Sequence, residues 1–225
     1  MSISDMRTLI EALLEGDQAC STAEAARLRK AGAGVEQIVV NGIGKAVEQL
    51  DGKCTIDQFN LLEIMLVGRA VMGVIKELFA KGEPGMPIRG TVIVCSLEGD
   101  VHDLGKNILK MVLTAKGYRV IDCGKDCPLD KLIETAERQR VDAVCISGLI
   151  TTVIPQVRRV RELAAERGLG QMRILAGGAA LKQATAEELK VDFVADTAFD
   201  GARYLESAQT FTADEKNSQQ RRKAR

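Results

Sequence analysis

The chain has no tryptophan, two tyrosines and five phenylalanines among 225 residues. Single-stranded nucleic acids bind by stacking bases on aromatic rings, so a chain this poor in rings lacks that surface. Charge of one sign is missing too: 31 basic side chains meet 31 acidic ones. Nothing in that balance recommends nucleic acid or an anionic membrane surface as partner. No apolar run approaches the ~20 residues that span a bilayer. Ser2-Ile3-Ser4-Asp5-Met6-Arg7 has neither the basic start nor the apolar stretch of a secretory signal, so the expected location is cytoplasmic. The six cysteines are scattered, and several lie inside apolar, strand-like runs. In a reducing compartment such residues serve as small buried hydrophobes. Cys123 and Cys127 form a Cys-x3-Cys pair with no partner cluster, and one histidine cannot complete a zinc set with them.

What is present is enough apolar material for a core, 46% of the residues, in a chain long enough for two unequal domains. Residues 1–82 read as helical. Met6, Leu9, Ile10, Leu13 and Leu14 recur at helical spacing behind a capping-box pattern at Ser2 and Asp5. Ser21 with Glu24 marks a second helix start, and Gly32 to Gly34 its end. A third helix is expected over 35–50, and Thr55 with Gln58 opens a fourth that runs to Phe79. Short loops between four amphipathic helices predict an antiparallel bundle. The fourth helix is apolar well beyond one stripe, from Leu62 and Met65 through Met72 to Phe79, with only Arg69, Lys76 and Glu77 as a solvated strip. Such a face must touch something outside the bundle core. An oligomer contact, a neighbouring domain and a lid over an apolar cofactor all satisfy that requirement.

Glu83-Pro84-Gly85-Met86-Pro87 breaks the helical period, and a linker is expected over 83–89. Beyond it the pattern alternates between strand and helix. Strands are predicted at 91–97, 118–123, 142–147, 173–176 and 192–195, with helices at 104–116, 129–139, 155–167, 184–190 and 198–208. Pro128 and Pro155 suit first-turn positions, and Gly117 and Gly168 suit the positions just after a helix. Five such units predict an α/β domain over 90–212, a parallel sheet with helices on both faces. Residues 213–225 are polar, end in Arg221-Arg222-Lys223-Ala224-Arg225, and read as a disordered tail.

Ligands of open parallel sheets bind beyond the carboxyl ends of the strands. Three short signals fall there: Asp100-Val101-His102 with Gly105, then Ser147-Gly148-Leu149, then Gly177-Gly178. His102 is the only histidine. Asp100, two residues before it, can hold Nδ1–H and leave Nε2 for a metal, the usual task of a carboxylate behind a ligating imidazole. One imidazole is too few ligands for a bare ion but suffices for a metal already held by a macrocycle, as in haem proteins. Ser147 can hydrogen-bond an inserted group and Leu149 can line its apolar wall. A Gly-Gly pair alone is an ordinary turn, and its place after a strand beside the other two signals favours close backbone approach to a ligand.

Asp-x-His-x-x-Gly, Ser-x-Leu after 41 intervening residues and Gly-Gly after a further 27 resemble the cobalamin-binding signature of corrinoid proteins. Residues 90–208 are similar to their Rossmann-like (flavodoxin-like) B12 domain. Residues 3–82, with Leu14-Glu15-Gly16-Asp17 and Ile43-Gly44-Lys45-Ala46-Val47, resemble the helical cap of methyl-carrying corrinoid proteins and of cobalamin-dependent methionine synthase. The resemblance implies a cobalamin or related corrinoid bound base-off and His-on. His102 would be the cobalt ligand, backed by Asp100. Val101, Gly105, Ser147, Leu149, Thr151, Gly177 and Gly178 would surround the cofactor and its detached nucleotide tail. Leu62, Met65 and Met72, with Phe59 as a further candidate, would cover the methyl-bearing face.

The same resemblance implies a carrier rather than an enzyme in its own right. Cobalt would alternate between Co(I) and methyl-Co(III), visiting a substrate-specific methyltransferase, a corrinoid:acceptor methyltransferase and a reductive activase. Two positions depart from the pattern. Val153 stands where methionine synthase has a relay serine, with Thr151 and Thr152 as neighbouring hydroxyls, and Lys190 stands where relatives often have glycine. The alternatives are the B12-binding subunit of an adenosylcobalamin-dependent mutase, which usually lacks a cap, and a B12-dependent sensor, which would add a DNA-binding module.

Overall fold

The structure, a computed structural model, describes residues 6–53, 60–79 and 89–207. The capping pattern at Ser2 and Asp5, Cys54, Phe59, most of the expected linker and the whole basic tail lie outside the described residues. Two compact units make up the chain, one of Met1–Val92 with Lys110–Asp122, the other of Ile93–Leu109 with Cys123–Arg225.

In the first unit the helical region contains α1 (Arg7–Leu14), α2 (Gln18–Lys30), α3 (Val35–Ile38), α4 (Gly44–Lys53) and α5 (Leu61–Phe79). Helix α2 begins four residues earlier than a cap at Ser21 would give, because the Asp17 carboxylate accepts from the Cys20 N–H at 2.9 Å and takes the capping role. Helix α5 starts at Leu61, where Asn60 accepts from the Glu63 N–H; Thr55 and Gln58 are outside the described residues. The predicted helix over 35–50 is interrupted. Residues Val39–Ile43 make a π-helical turn between α3 and α4, with buried Gly42 so close to α1 that a Cβ there would lie 2.8 Å from Leu9 Cδ2. Periodicity alone cannot register one inserted residue of this kind.

Helix α5 buries Ile64, Val67, Ala70, Val71, Val74 and Leu78, a stripe at helical spacing, and leaves Leu61, Leu62 and Met65 exposed. Its close approach to the α1–α2 turn depends on Gly16, whose φ is +70° and whose missing Cβ would sit 2.5 Å from Leu66 Cβ. Gly16→Ala therefore meets both backbone strain and overpacking, and is expected to cost roughly 2–4 kcal/mol. Gly52, with nothing within 4 Å, is the control, since alanine in that helix is neutral or stabilising. Equal melting temperatures for the two variants would refute this account of the turn.

The sheet has the order β2-β1-β3-β4-β5, from β1 (Thr91–Leu97), β2 (Arg119–Cys127), β3 (Ala143–Ser147), β4 (Arg173–Gly177) and β5 (Phe193–Ala195). Strands β3, β4 and β5 pair in parallel, with Ser147 opposite Gly177 and Gly177 opposite Ala195. The connecting helices are α6 (Leu104–Ala115), α7 (Leu129–Gln139), α8 (Ile154–Glu166) and α9 (Ala186–Leu189), with α10 over 198–207. Central strands read as continuous apolar runs because both faces are covered; β1 is buried from Val92 to Leu97. Gly117 and Gly168 have φ of +88° and +72°, and each closes its helix as expected, with Tyr118 N–H donating to Leu113 O and Leu169 N–H to Ala164 O. Edge strand β2 runs four residues past its predicted end, through polar Gly124, Lys125 and Asp126. Helix α9 is shorter than predicted because a capping box of Thr185 and Glu188 starts it late.

Among the described residues no helix is long and apolar enough to cross a membrane. All five described cysteines are free, with Cys95, Cys127 and Cys145 buried. Burial pushes the Cys145 thiol up to about 12.

Candidate functional site

In a sheet of this order the chain turns outward in opposite directions from β1 and β3, and the crevice at that reversal is where ligands bind. The loops after β1 and β3 meet there through one carboxylate. Asp100 has no exposed surface. Its Oδ1 accepts from the His102 backbone N–H at 3.0 Å and contacts Nδ1 of the same residue at 2.7 Å. Its Oδ2 accepts from the Leu149 N–H at 2.7 Å. Burial pushes the Asp100 carboxyl up, but the N–H groups of Leu149 and His102 and the imidazole more than offset it, leaving the acid stronger than usual.

Holding Nδ1 fixes the imidazole tautomer, with the proton on Nδ1 and the lone pair on Nε2. The His102 side chain is 51% exposed, so the ring is reachable while its orientation is set from behind. Val101, Leu104 and Leu149 are large apolar side chains exposed beside it in sequence and at the facing loop. Among the described residues no group of three or more His, Cys, Asp or Glu side chains is arranged to hold a bare ion.

The remaining motif residues join this arrangement through backbone contacts. A Cβ on Gly105, in the first turn of α6, would lie 3.0 Å from Ser147 Oγ. Gly148 N–H donates to Gly177 O at 2.9 Å, and Ala180 N–H donates to Gly148 O at 3.2 Å. Gly178, at φ +97°, approaches so closely that a Cβ would sit 2.6 Å from Gly148 O. The structure thus brings Asp100, His102, Gly105, Ser147, Leu149, Gly177 and Gly178 together at the strand ends of one unit. Thr151 opens a 3-10 turn over Thr151–Val153 and is exposed. Val153 is fully buried, and the partners of the Asp100 carboxylate are His102 and Leu149, with neither Thr151 nor Thr152 among them. Lys190 occupies the left-handed region at φ +56° and reaches Glu162 at 2.5 Å. Leu62, Met65 and Met72 belong to the other unit, the first two exposed and Met72 half-buried on α5.

Sequence reasoning missed three residues. Ser96, fully buried at the end of β1, donates to His102 O at 2.7 Å. Gln156 Nε2 donates to Glu98 O at 2.7 Å, and Asp126 Oδ1 accepts from Gly99 N–H at 2.7 Å. A polar residue inside an otherwise apolar central strand is the signal that points to Ser96; the other two leave no local mark.

A family model described as B12 binding domain matches residues 90–207. Dimethylamine corrinoid protein 2 of Methanosarcina mazei is 31% identical over 165 residues, 72% of this chain and 77% of that protein. A corrinoid protein of Desulfitobacterium hafniense is 28% identical over 207 residues, 89% of this chain and 95% of the relative. Among solved structures, the methanol:cobalamin methyltransferase complex MtaBC of Methanosarcina barkeri aligns with a TM-score of 0.79 at 22% identity, covering 92% of this chain and 80% of that one. A cobalamin-binding protein from Desulfitobacterium hafniense aligns at 0.68 and 18%, covering 90% and 97%. At these identities the structural likeness is one of fold.

Proposed function

The chain belongs to the B12-binding domain family, and on that premise we propose that it is the methyl-carrying corrinoid protein of a multi-component methyltransferase system. The observation that carries the reading is the buried Asp100 carboxylate, which holds His102 Nδ1 on one oxygen and the Leu149 N–H on the other. The fold match to a methanol:cobalamin methyltransferase complex and the identity with a dimethylamine corrinoid protein support the carrier role.

The residues present fit a corrin. A reachable imidazole with Nδ1 engaged would supply one nitrogen to the metal, and a macrocycle would provide the other ligands. Exposed Val101, Leu104 and Leu149 offer apolar surface to a largely apolar ring. When bound, the corrinoid cobalt supplies the site that accepts and releases a methyl group. Asp100 keeps the ring of His102 oriented with Nε2 left free, so the base-off, His-on mode is the one these residues favour. Val153 cannot extend that pair by a hydroxyl, so Asp100 is the side chain that holds His102 Nδ1. One methyltransferase loads the carrier, a second unloads it, and a reductive activase restores it.

Reconstitution with hydroxocobalamin tests the proposal. The chain has no tryptophan, so corrin bands will stand clear of a weak protein background. We expect one corrinoid per chain with an imidazole-ligated spectrum, and His102→Ala should retain corrinoid while losing that spectrum. A colourless protein after reconstitution would sink the reading, and an unchanged spectrum in the variant would sink the ligand assignment.

A further inference from the structure

Asp126 sits at φ +54° near the end of β2, in the left-handed region that residues with a Cβ avoid and that Asp enters only occasionally. The residue is exposed, so packing does not ask for this conformation. Strain of this kind persists where surrounding contacts over-determine it. The contacts are specific. Asp126 Oδ1 accepts from Gly99 N–H at 2.7 Å, and the Asp126 N–H donates to Asp100 O at 3.0 Å. The next residue along β2 continues the pattern, Cys127 O accepting from Glu98 N–H at 3.0 Å.

Three consecutive residues of the loop after β1 are thereby templated by two residues of β2. Gly99, at φ +91°, supplies the turn without a Cβ penalty but is free to leave it, so the ties from β2 are what hold its N–H in this register. Other ties hold the loop's ends: Gln156 grips Glu98 O and Ser96 grips His102 O. The Asp100 N–H also donates to Leu97 O at 3.0 Å, and its carboxylate meets His102 and Leu149. Asp126 adds the ties at Gly99 N–H and Asp100 O, the backbone from which the carboxylate projects.

We propose that Asp126 is a positioning residue for the axial ligand. Its side chain and N–H clamp Gly99 and Asp100, so that the Asp100 carboxylate is already in place behind His102 before any cofactor binds. The inference rests on the reading of His102 as the ligand. It concerns the backbone beneath that ligand, however, and is measurable with or without corrinoid.

Two full-length variants separate the clamp from simple folding. Asp126→Gly removes the acceptor while suiting the positive φ, and Asp126→Asn keeps an acceptor on a residue that tolerates the left-handed region. In the protein without corrinoid, amide exchange at Gly99 and His102 is followed by NMR, together with the side-chain signal of the chain's single histidine. After loading with hydroxocobalamin, the ratio of imidazole-ligated to unligated corrinoid is read from the absorption spectrum. Asp126→Gly should melt close to the parent protein, exchange at least ~10-fold faster at Gly99 and lower the ligated ratio about tenfold. Asp126→Asn should match the parent in every measurement. Unchanged exchange in Asp126→Gly overturns the clamp, as does an Asp126→Asn variant equally impaired. Faster exchange with unchanged ligation overturns the role toward His102. Failure of the parent protein itself to take up corrinoid overturns the carrier reading instead, and the exchange arm still decides the clamp.

Discussion

Asp100→Ala is expected to lose roughly 3–5 kcal/mol of stability, because it strands three donors that share one buried carboxylate. Two belong to His102 and one to Leu149, so the loops after β1 and β3 lose the same tie together. For a chain of this size that corresponds to a fall in melting temperature of roughly 6–20 °C. Circular dichroism is the suitable probe, since there is no tryptophan to follow by fluorescence. Asp100→Asn should fall between the two, because one amide oxygen can still accept while the NH2 group faces a donor. Full burial of Asp100 leaves its bond to the Leu149 N–H little screened, whereas the contact with the half-exposed His102 ring is partly screened by solvent. An alanine variant as stable as the parent would show that the carboxylate is not what joins the two loops. In reconstituted protein the alanine variant should also weaken imidazole ligation by about 10–100-fold, the usual consequence of removing the carboxylate behind a ligating histidine.

The site was legible to the extent that its chemistry is local. Asp100 and His102 are two residues apart, so a carboxylate–imidazole pair could be inferred from spacing, and the distance of 2.7 Å bears that out. Their position after β1 was equally readable, since Val92 to Leu97 form a continuous apolar run of the kind that only a covered strand tolerates. The link from Asp100 to Leu149 spans 49 residues and becomes visible only once the strand order places β1 beside β3. Asp126 was hidden for a related reason. Its polar surroundings read as the end of a strand, whereas on an edge strand they mark the stretch that turns toward the neighbouring loop.

In the helical region periodicity located the helical stretches, but it predicted four helices where α1 to α5 are five, and it misplaced the start of α2. Ser21 and Glu24 have capping-box spacing, yet Asp17 holds the cap because its carboxylate reaches the Cys20 N–H. Asp and Ser are nearly equal as caps, each worth about 1 kcal/mol over alanine, so the sequence does not choose between them, and Ser21 and Ala25 are buried within the helix. The π turn at Val39–Ile43 carries Gly42, which packs tightly against Leu9, a tertiary contact that no window of sequence contains. The wide apolar face of α5 divides into a buried stripe and an exposed remainder at Leu61, Leu62 and Met65. That remainder is what the sequence could flag without saying what covers it.

Gly178→Ala should be the most damaging single methyl in the sheet domain. The backbone there is at φ +97°, and the new Cβ would lie 2.6 Å from Gly148 O and 3.0 Å from Gly148 N. Neither atom can swing away, since Gly148 N–H is bonded to Gly177 O and Gly148 O accepts from Ala180 N–H. Relief therefore requires the loop after β3 to separate from the loop after β4, and Leu149 moves with Gly148. Its N–H then leaves Asp100, so damage that begins between two glycines ends at the histidine. We expect a loss of roughly 2–4 kcal/mol in stability and a fall in hydroxocobalamin affinity of at least ~10-fold. Gly170→Ala is the matched control, because a Cβ there meets nothing within 4 Å. Gly177→Ala should be milder than Gly178→Ala, its nearest neighbour being Ala195 O at 3.3 Å without a positive φ. Thermal melting and a corrinoid titration on the three variants rank them directly. If Gly178→Ala bound hydroxocobalamin as tightly as Gly170→Ala, the glycine pair would be a turn of convenience, and the path from Gly148 through Leu149 to Asp100 would carry no strain to His102.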